Sequence, residues 1–439
     1  MTAFRLLVAI AAKFNLLLHH RDIKTAFLHG VLHELIYMFQ PPHFTNPECP
    51  HHVCRLNKPI YGLKQSAREW YTRMHEYLIG CGWERLQIDY NLYIWRSTEG
   101  MAIFCLFVDD IPILGTSEYM IMRAIDCLSQ EFPVTDKGPM SYFLGIQVMR
   151  DPLRKTISLS QSQYIEELLL FYGMSASSHE LTPLPLKHKL APEFHAYTHA
   201  DALYCPSFHC PKFCGQIHYL ISCTHFDLSY AGHLLSRSMA KPCKAHKQAA
   251  KRTLRYLCTT QAYALTYCYD PTTPISIYGY VDANWAGDDP RCFSTGGYVF
   301  NLAGAPISWQ TKRQSSIAQS STEAEYIAAA LASREALWLS ELISEFMLPF
   351  DVSDEPVILY CDNQSTITLA ESPSFLSKLK HVKISHHFLK ELVQEHFLQL
   401  LYVRSEENWA DFLTKFVPAA KHTASCRALS LIPLGCSSP

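Results

Sequence analysis

The chain has 439 residues, enough for two or three domains of ordinary size. Hydrophobic residues make up 48% and charged residues 18%, which excludes a disordered chain and leaves each domain material for its own core. Net charge is −2, so the total shows no basic footprint, although Lys244, Lys247, Lys251, Arg252 and Arg255 concentrate positive charge in one stretch. That stretch reads equally well as a nucleic-acid contact or as a solvated helix face. The 16 cysteines follow no repeating spacing, which argues for reduced thiols rather than a disulfide framework. Cys205, His209, Cys210 and Cys214 match no zinc spacing, and Pro206 and Pro211 make that stretch loop-like.

Residues 4–18 are apolar enough to suggest a signal or membrane segment, but Arg5 and Lys13 interrupt them and the run is short for a bilayer. A buried helix leading into a strand is expected. Asp22 follows Leu16-Leu17-Leu18 and precedes Ile23 to Phe27. Residues 104–108 read as an apolar strand ending in Asp109-Asp110, after which Ile111, Ile113 and Leu114 resume the apolar character. Adjacent carboxylates at a hairpin tip are costly unless a cation neutralises them, an arrangement suited to Mg²⁺; solvated acids in a turn are the plainer alternative. Pro112 predicts an edge position, because it cannot donate to a ladder. Residues 187–212, rich in Pro, His and Ala, read as a linker, and residues 213–270 carry helical spacing.

From Pro274 onward Ile275, Ile277, Gly279 and Val281 alternate with Ser276, Tyr278, Tyr280 and Asp282, which is strand periodicity. Residues 297–302 and 306–310 flank a hairpin turn at Ala303-Gly304. Residues 322–346 predict a long helix whose start carries a capping box, Ser320 with Glu323, leaving Glu325 free to face a sheet. A central strand over 357–361, a helix over 382–396, a strand over 398–403 and a terminal helix from about Glu407 complete a mixed sheet packed with helices. Asp282 and Asp362 end strands, Glu325 sits in a first helical turn and Asp411 in the terminal helix. Four carboxylates converging without cationic partners would imply divalent metals and hydrolysis of a phosphodiester, whereas a lone acid is more often solvated.

At these residues the chain resembles the copia-type retrotransposon polyproteins. Asp22-Ile23-Lys24-Thr25-Ala26-Phe27-Leu28-His29-Gly30 is similar to the family's first catalytic motif, and Ile60-Tyr61-Gly62-Leu63-Lys64-Gln65 to its template- and nucleotide-contacting motif. Phe107-Val108-Asp109-Asp110 stands where the family has Tyr-Val-Asp-Asp, and Tyr142-Phe143-Leu144-Gly145-Ile146 resembles the segment that grips the primer. Tyr280-Val281-Asp282-Ala283, Ser321-Thr322-Glu323-Ala324-Glu325, Tyr360-Cys361-Asp362-Asn363 and Asn408-Trp409-Ala410-Asp411 resemble the family's ribonuclease H domain.

The resemblance implies a mixed chain of α+β and α/β character: a right-hand polymerase palm and thumb over 1–180, a linker and helical connection over 181–270, a ribonuclease H-like mixed sheet with helices over 271–418 and a tail over 419–439. It implies that Asp22 and Asp109 hold the polymerase metals with Asp110 in support, and that Asp282, Glu325, Asp362 and Asp411 hold the nuclease metals. Phe27 would lie beneath the incoming sugar, although a core aromatic is its plainer reading. Lys64 and Gln65 would stand near the template–nucleotide pocket, with a polar turn after Gly62 as the alternative. The implied cofactor is Mg²⁺, two ions per site, and Mn²⁺ suits the same oxygen donors. Implied partners are an RNA template, a DNA primer, RNA–DNA hybrid, deoxynucleoside triphosphates and other polyprotein products, without a membrane. The implied location is intracellular, in the cytoplasm, with the nucleus as the alternative.

The resemblance runs over residues 2–418 and departs in places. Met1 lies 21 residues before Asp22, so most of the family's fingers region is missing. Ser66-Ala67 replaces Ala-Pro, and Thr224-His225-Phe226-Asp227 replaces Thr-Arg-Pro-Asp. These departures imply either a truncated polymerase–nuclease with weak DNA synthesis or an inactive relic that at most binds nucleic acid.

Overall fold

A computed structural model describes residues 1–186, 208–287, 291–346, 352–372 and 383–436. Most of the expected linker, with Cys205, falls outside the described residues. The chain divides into two compact units, one spanning Leu16–Phe143 and the other joining Met1–Asn15 to Leu144–Pro439. The cuts fall at residues 15 and 143, away from the composition shifts near 180 and 270, because sheet pairing rather than local composition decides which segments cohere.

In the first unit the strands are β1 (Leu17–Ile23), β2 (Tyr37–Phe39), β3 (Val53–Arg55), β4 (Glu84–Arg85), β5 (Leu92–Ser97), β6 (Gly100–Cys105), β7 (Asp110–Gly115), β8 (Val134–Pro139) and β9 (Tyr142–Phe143). Six of them form one sheet in the order β4-β5-β6-β7-β1-β8. Helices Ser66–Gly80 and Glu118–Glu131 cover it, and Trp70, Met74, Leu78, Met120, Ile121 and Leu128 bury their side chains with Phe104, Ile111 and Ile113. Pro112 lies in a central strand rather than at an edge. The β6 ladder ends at Phe104 opposite Ile113, so at Pro112 only β1 runs alongside and the position is locally an edge.

The second unit begins with the helix Thr2–Lys13, which is apolar all round and almost wholly buried. Its two cations are accommodated rather than excluded. Arg5 donates from Nε to the Ile307 carbonyl (2.8 Å) and lies 3.8 Å over the Trp309 ring, while Lys13 donates to the Asp270 carbonyl and to Thr273 Oγ1, each at 2.8 Å. Among the described residues no helix is long and apolar enough to cross a membrane.

Strands β10 (Ile146–Asp151), β11 (Thr156–Ser160) and β12 (Tyr263–Cys268) follow, then β13 (Tyr278–Asn284), β14 (Thr295–Leu302), β15 (Ala305–Arg313), β16 (Val357–Cys361), β17 (Leu398–Tyr402) and β18 (Leu431–Pro433). Strands β10, β11, β12 and β18 pair antiparallel in that order. The segment expected as a tail thus forms a helix, Ala419–Ala428, and a sheet strand. The other sheet runs β15-β14-β13-β16-β17, antiparallel across β15, β14 and β13 and parallel from β13 to β17. Both units mix helices and strands, as the element pattern predicts.

Several local expectations are met with adjustments. Ala303 (φ 53°) and Gly304 (φ 81°) both take the left-handed conformation that a two-residue hairpin requires. Ser320 caps the helix Ser321–Glu345, accepting from the Glu323 amide at 3.2 Å, but the Glu323 carboxylate reaches back to the Gln319 amide (2.7 Å) rather than closing the expected box on Ser320. The stretch around Cys210 is helical, Cys210–Cys223, since a proline in the first turn costs no intrahelical bond. The terminal helix expected from Glu407 is instead a 3₁₀ turn (Ser405–Glu407) and a single helical turn (Asp411–Thr414). Asn408 accounts for the break: its side chain accepts from the Ala410 amide (3.1 Å) and donates to the Val281 carbonyl (3.0 Å), an Asx turn competing with helix.

Candidate active site

In the second unit all four expected acids converge. Asp282 lies on β13 and Asp362 directly follows β16; because these neighbours are parallel, with Tyr280 opposite Tyr360, both carboxylates emerge at the same end. Asp282, Asp362 and Asp411 present oxygens within 4.8 Å of one another, and Glu325 lies within the same distance of Asp362 and Cys361. Asp282, Glu325 and Asp411 are buried and Asp362 is half-buried. Close approach of the Asp411 turn depends on Gly297, opposite Asp282 on β14. A Cβ there would meet Thr414 Cγ2 at 2.9 Å and Leu413 Cβ at 3.0 Å.

The electrostatics of this cluster are under-neutralised. Lys415 Nζ bridges Asp282 (3.2 Å) and Asp411 (2.8 Å), Lys421 pairs with Asp411, Thr414 Oγ1 donates to Asp282, and Ser405 Oγ donates to Asp362. Two cations therefore face four carboxylates. Glu325 Oε2 is buried without a hydrogen-bond partner among the described residues. Burial, with Asp411 and Asp362 adding to it against the pull of Lys415, pushes the Asp282 carboxyl up to about 6. Burial and the nearby Asp282 and Asp362 push Glu325 well above the ordinary carboxylate range. Burial opposes the Lys415 charge, but Asp282 and Asp411 outweigh it and hold that ammonium above its ordinary value. Burial likewise drives the Cys361 thiol upward, and the four acids present an oxygen donor set. That set, with its surplus negative charge and one orphaned oxygen, fits a hard divalent cation.

In the first unit Asp22 and Asp110 are paired across β1 and β7. Val108-Asp109 forms the tip of a two-residue hairpin closed by reciprocal bonds between Phe107 and Asp110 (3.0 and 3.1 Å). Val108 is held at φ 58°, a strained conformation for a β-branched residue, and Trp70 Nε1 donates to its carbonyl at 2.7 Å. The three acids have different sets of side-chain partners. Lys137 Nζ reaches Asp22 (2.9 Å) and Asp110 (3.3 Å), His20 Nε2 lies 2.8 Å from Asp110, and Asp109 instead accepts from the Tyr61 hydroxyl at 3.0 Å. Burial raises the Tyr61 phenol, and Asp109 adds to it. Phe27 is half-buried with its ring centroid 4.4 Å from that of Tyr61. Lys64 is exposed, and Gln65 precedes the helix Ser66–Gly80 without a side-chain cap.

Sequence reasoning missed Lys137, Lys415, Lys421, Tyr61, Thr414 and Ser405 as site residues. Lys415 carried a signal, lying four residues after Asp411, the spacing at which opposite charges pair along a helix. Lys137 carried none, since strand register alone brings β8 against Asp22.

A model of reverse transcriptases (RNA-dependent DNA polymerases) matches residues 1–185. The Pol polyprotein of transposon TNT 1-94 from Nicotiana tabacum is 36% identical over 422 residues, 96% of this chain and 31% of that protein. The Pol polyprotein of transposon RE1 from Arabidopsis thaliana is 34% identical over 414 residues, 94% of this chain and 27% of that protein. A putative transposon Ty5-1 protein of Saccharomyces cerevisiae is 31% identical over 313 residues, 70% of this chain and 97% of that protein. The chain belongs to the copia-type retrotransposon Pol polyprotein family. It spans under a third of the length of the first two relatives.

Proposed function

We propose that the second unit hydrolyses the RNA strand of RNA–DNA hybrids at Asp282, Glu325, Asp362 and Asp411, and that Asp22, Asp109 and Asp110 serve RNA-directed DNA synthesis. The observation that supports the nuclease reading is the approach of Asp282, Asp362 and Asp411 oxygens to within 4.8 Å in a buried, under-neutralised pocket. Magnesium or manganese held by the four acids would polarise the scissile phosphate and make a bound water nucleophilic. The chain's own residues set the frame for this chemistry. Thr414 and Ser405 fix the rotamers of Asp282 and Asp362, and Asn408 anchors the loop that delivers Asp411. Lys415 pairs with Asp282 and Asp411 and opposes the upward push of burial on the Asp282 carboxyl.

Cleavage of a labelled hybrid in magnesium is the expected result, and Asp362→Asn should slow it by about a thousandfold, the equivalent of roughly 4 kcal/mol of lost transition-state stabilisation. No cleavage by folded protein, or cleavage indifferent to the substitution, would sink the nuclease reading.

A second reading, nucleic-acid binding without turnover, is favoured by the lysines that already stand against both acid sets. In the first unit this is testable through Lys137, whose ammonium competes for the Asp22–Asp110 gap. Lys137→Met should tighten Mn²⁺ binding by about fivefold, since two half-exposed ion pairs contribute about 0.5 kcal/mol each. Calorimetry in an Asp362→Asn background reads the change, and an unaltered affinity would mean that Lys137 does not compete.

A further inference from the structure

The basic stretch of the sequence resolves into a helix, Lys244–Thr260, and three of its cations share one cavity. Lys251, Arg252 and Arg255 line a space of about 360 Å³ together with Gln248, Glu180 and Pro185. The cavity is built rather than incidental. Arg252 Nη1 pairs with Glu180 at 2.8 Å and Nη2 donates to Thr182 Oγ1 at 3.0 Å; Thr259 Oγ1 donates to the Glu180 carbonyl (2.8 Å), and Thr253 Oγ1 to that of Pro183 (3.3 Å). These bonds staple residues 180–185 to the helix and hold the cavity open on one side of that segment. Glu180 offsets Arg252, and among the described residues no carboxylate pairs with Lys251 or Arg255, so the lining is net positive.

The other side of the same segment borders Lys415. Thr182, Pro183 and Leu184 line a small crevice together with Lys415, the lysine that bridges Asp282 and Asp411. Both spaces belong to the same compact unit. We propose that Lys251 and Arg255, with Gln248 as a neutral donor, bind a backbone phosphate of the nucleic acid whose RNA strand is cut at the four acids. Its identification as RNA–DNA hybrid rests on the nuclease reading above. The role is positional, since a phosphate contact fixes register without reading sequence.

The test uses the full chain carrying Asp362→Asn, with binding of a labelled hybrid followed by anisotropy across a salt series. The Lys251→Gln/Arg255→Gln double variant should bind about tenfold more weakly at 0.1 M salt, with the slope of log Kd against log salt reduced by about one, for the one phosphate no longer neutralised. Lys251→Arg/Arg255→Lys, which keeps the charge, should restore most of the affinity, and Arg154→Gln, an exposed cation elsewhere in the unit, should change it by less than about twofold. In the cleaving background the double variant should raise KM for hybrid. An unchanged affinity and slope, or an equal loss in Arg154→Gln, overturns the proposal, as does wild-type protein that binds no hybrid. Protein that binds hybrid through these residues but never cleaves it leaves the phosphate site standing and overturns only the nuclease reading.

Discussion

Replacing Asp282 by asparagine is expected to abolish hybrid cleavage and, at the same time, to make the metal-free protein more stable. Asp282 is 1% exposed, and burial raises its carboxyl to about 6 from an unfolded value of 3.8. The folded state therefore binds the proton more tightly than the unfolded state does. The ionised group costs stability at neutral pH, on the order of 2–3 kcal/mol for a shift of that size. The sign follows directly: metal-free wild type gains stability as pH falls through about 6 and has recovered it fully below the unfolded value. Asparagine keeps an acceptor for Thr414 and removes the charge, while Lys415 retains Asp411. Chemical denaturation in EDTA should thus show the variant ahead at pH 7.5 and level with wild type near pH 4. Millimolar magnesium should reverse the order by stabilising only the wild type. A variant less stable than wild type at pH 7.5 without metal would contradict this account of the site as a store of unneutralised charge.

The second large effect lies at a carboxylate outside both acid sets. Asp227 is fully buried, and its carboxylate accepts from the Tyr256 hydroxyl and lies 3.2 Å from His225 Nδ1. Burial alone would raise this carboxyl, but His225, Tyr256 and the nearby His422 outweigh it and hold it below the ordinary value. Asp227→Ala leaves a buried hydroxyl and a buried imidazole nitrogen unpaired. Its expected cost is about 3 kcal/mol, the usual penalty for breaking a buried ionic network. In a unit of this size that lowers the thermal midpoint by about 4–5 °C, which scanning calorimetry at pH 7 would register. Because the folded carboxyl is depressed, its contribution is present above the unfolded value and lost as pH falls through the folded one. The gap between wild type and variant should accordingly close in acid. A midpoint shift below about 2 °C would show that the network is already satisfied by water or by relaxation.

Asp227 also marks a limit of sequence reasoning. It sits in Thr224-His225-Phe226-Asp227, a departure from the family pattern that local reading takes for drift. In the fold His225 Nδ1 lies 3.2 Å from the buried Asp227 carboxylate, so the altered motif still supplies that acid with a polar neighbour.

Much of the candidate site is legible in the order of residues alone. Apolar runs ending in acids locate Asp22, Asp109, Asp110, Asp282 and Asp362, since a strand's burial forces its charged residues to its ends. The Ser320 cap and the Ala303-Gly304 turn are likewise local signals, because both are decided within four residues. What only the tertiary structure decided is long-range. Thr2–Lys13 packs with strands more than 140 residues away, and the last strand, Leu431–Pro433, completes the sheet of β12. The counter-ions of the acids, Lys137 and Lys415, arrive by register and by loop closure. Side-chain periodicity reports which face of an element is buried, not which distant element buries it. The chemistry of the carboxylates was therefore written in the order of residues, and their state of charge was set by which elements the fold laid against them.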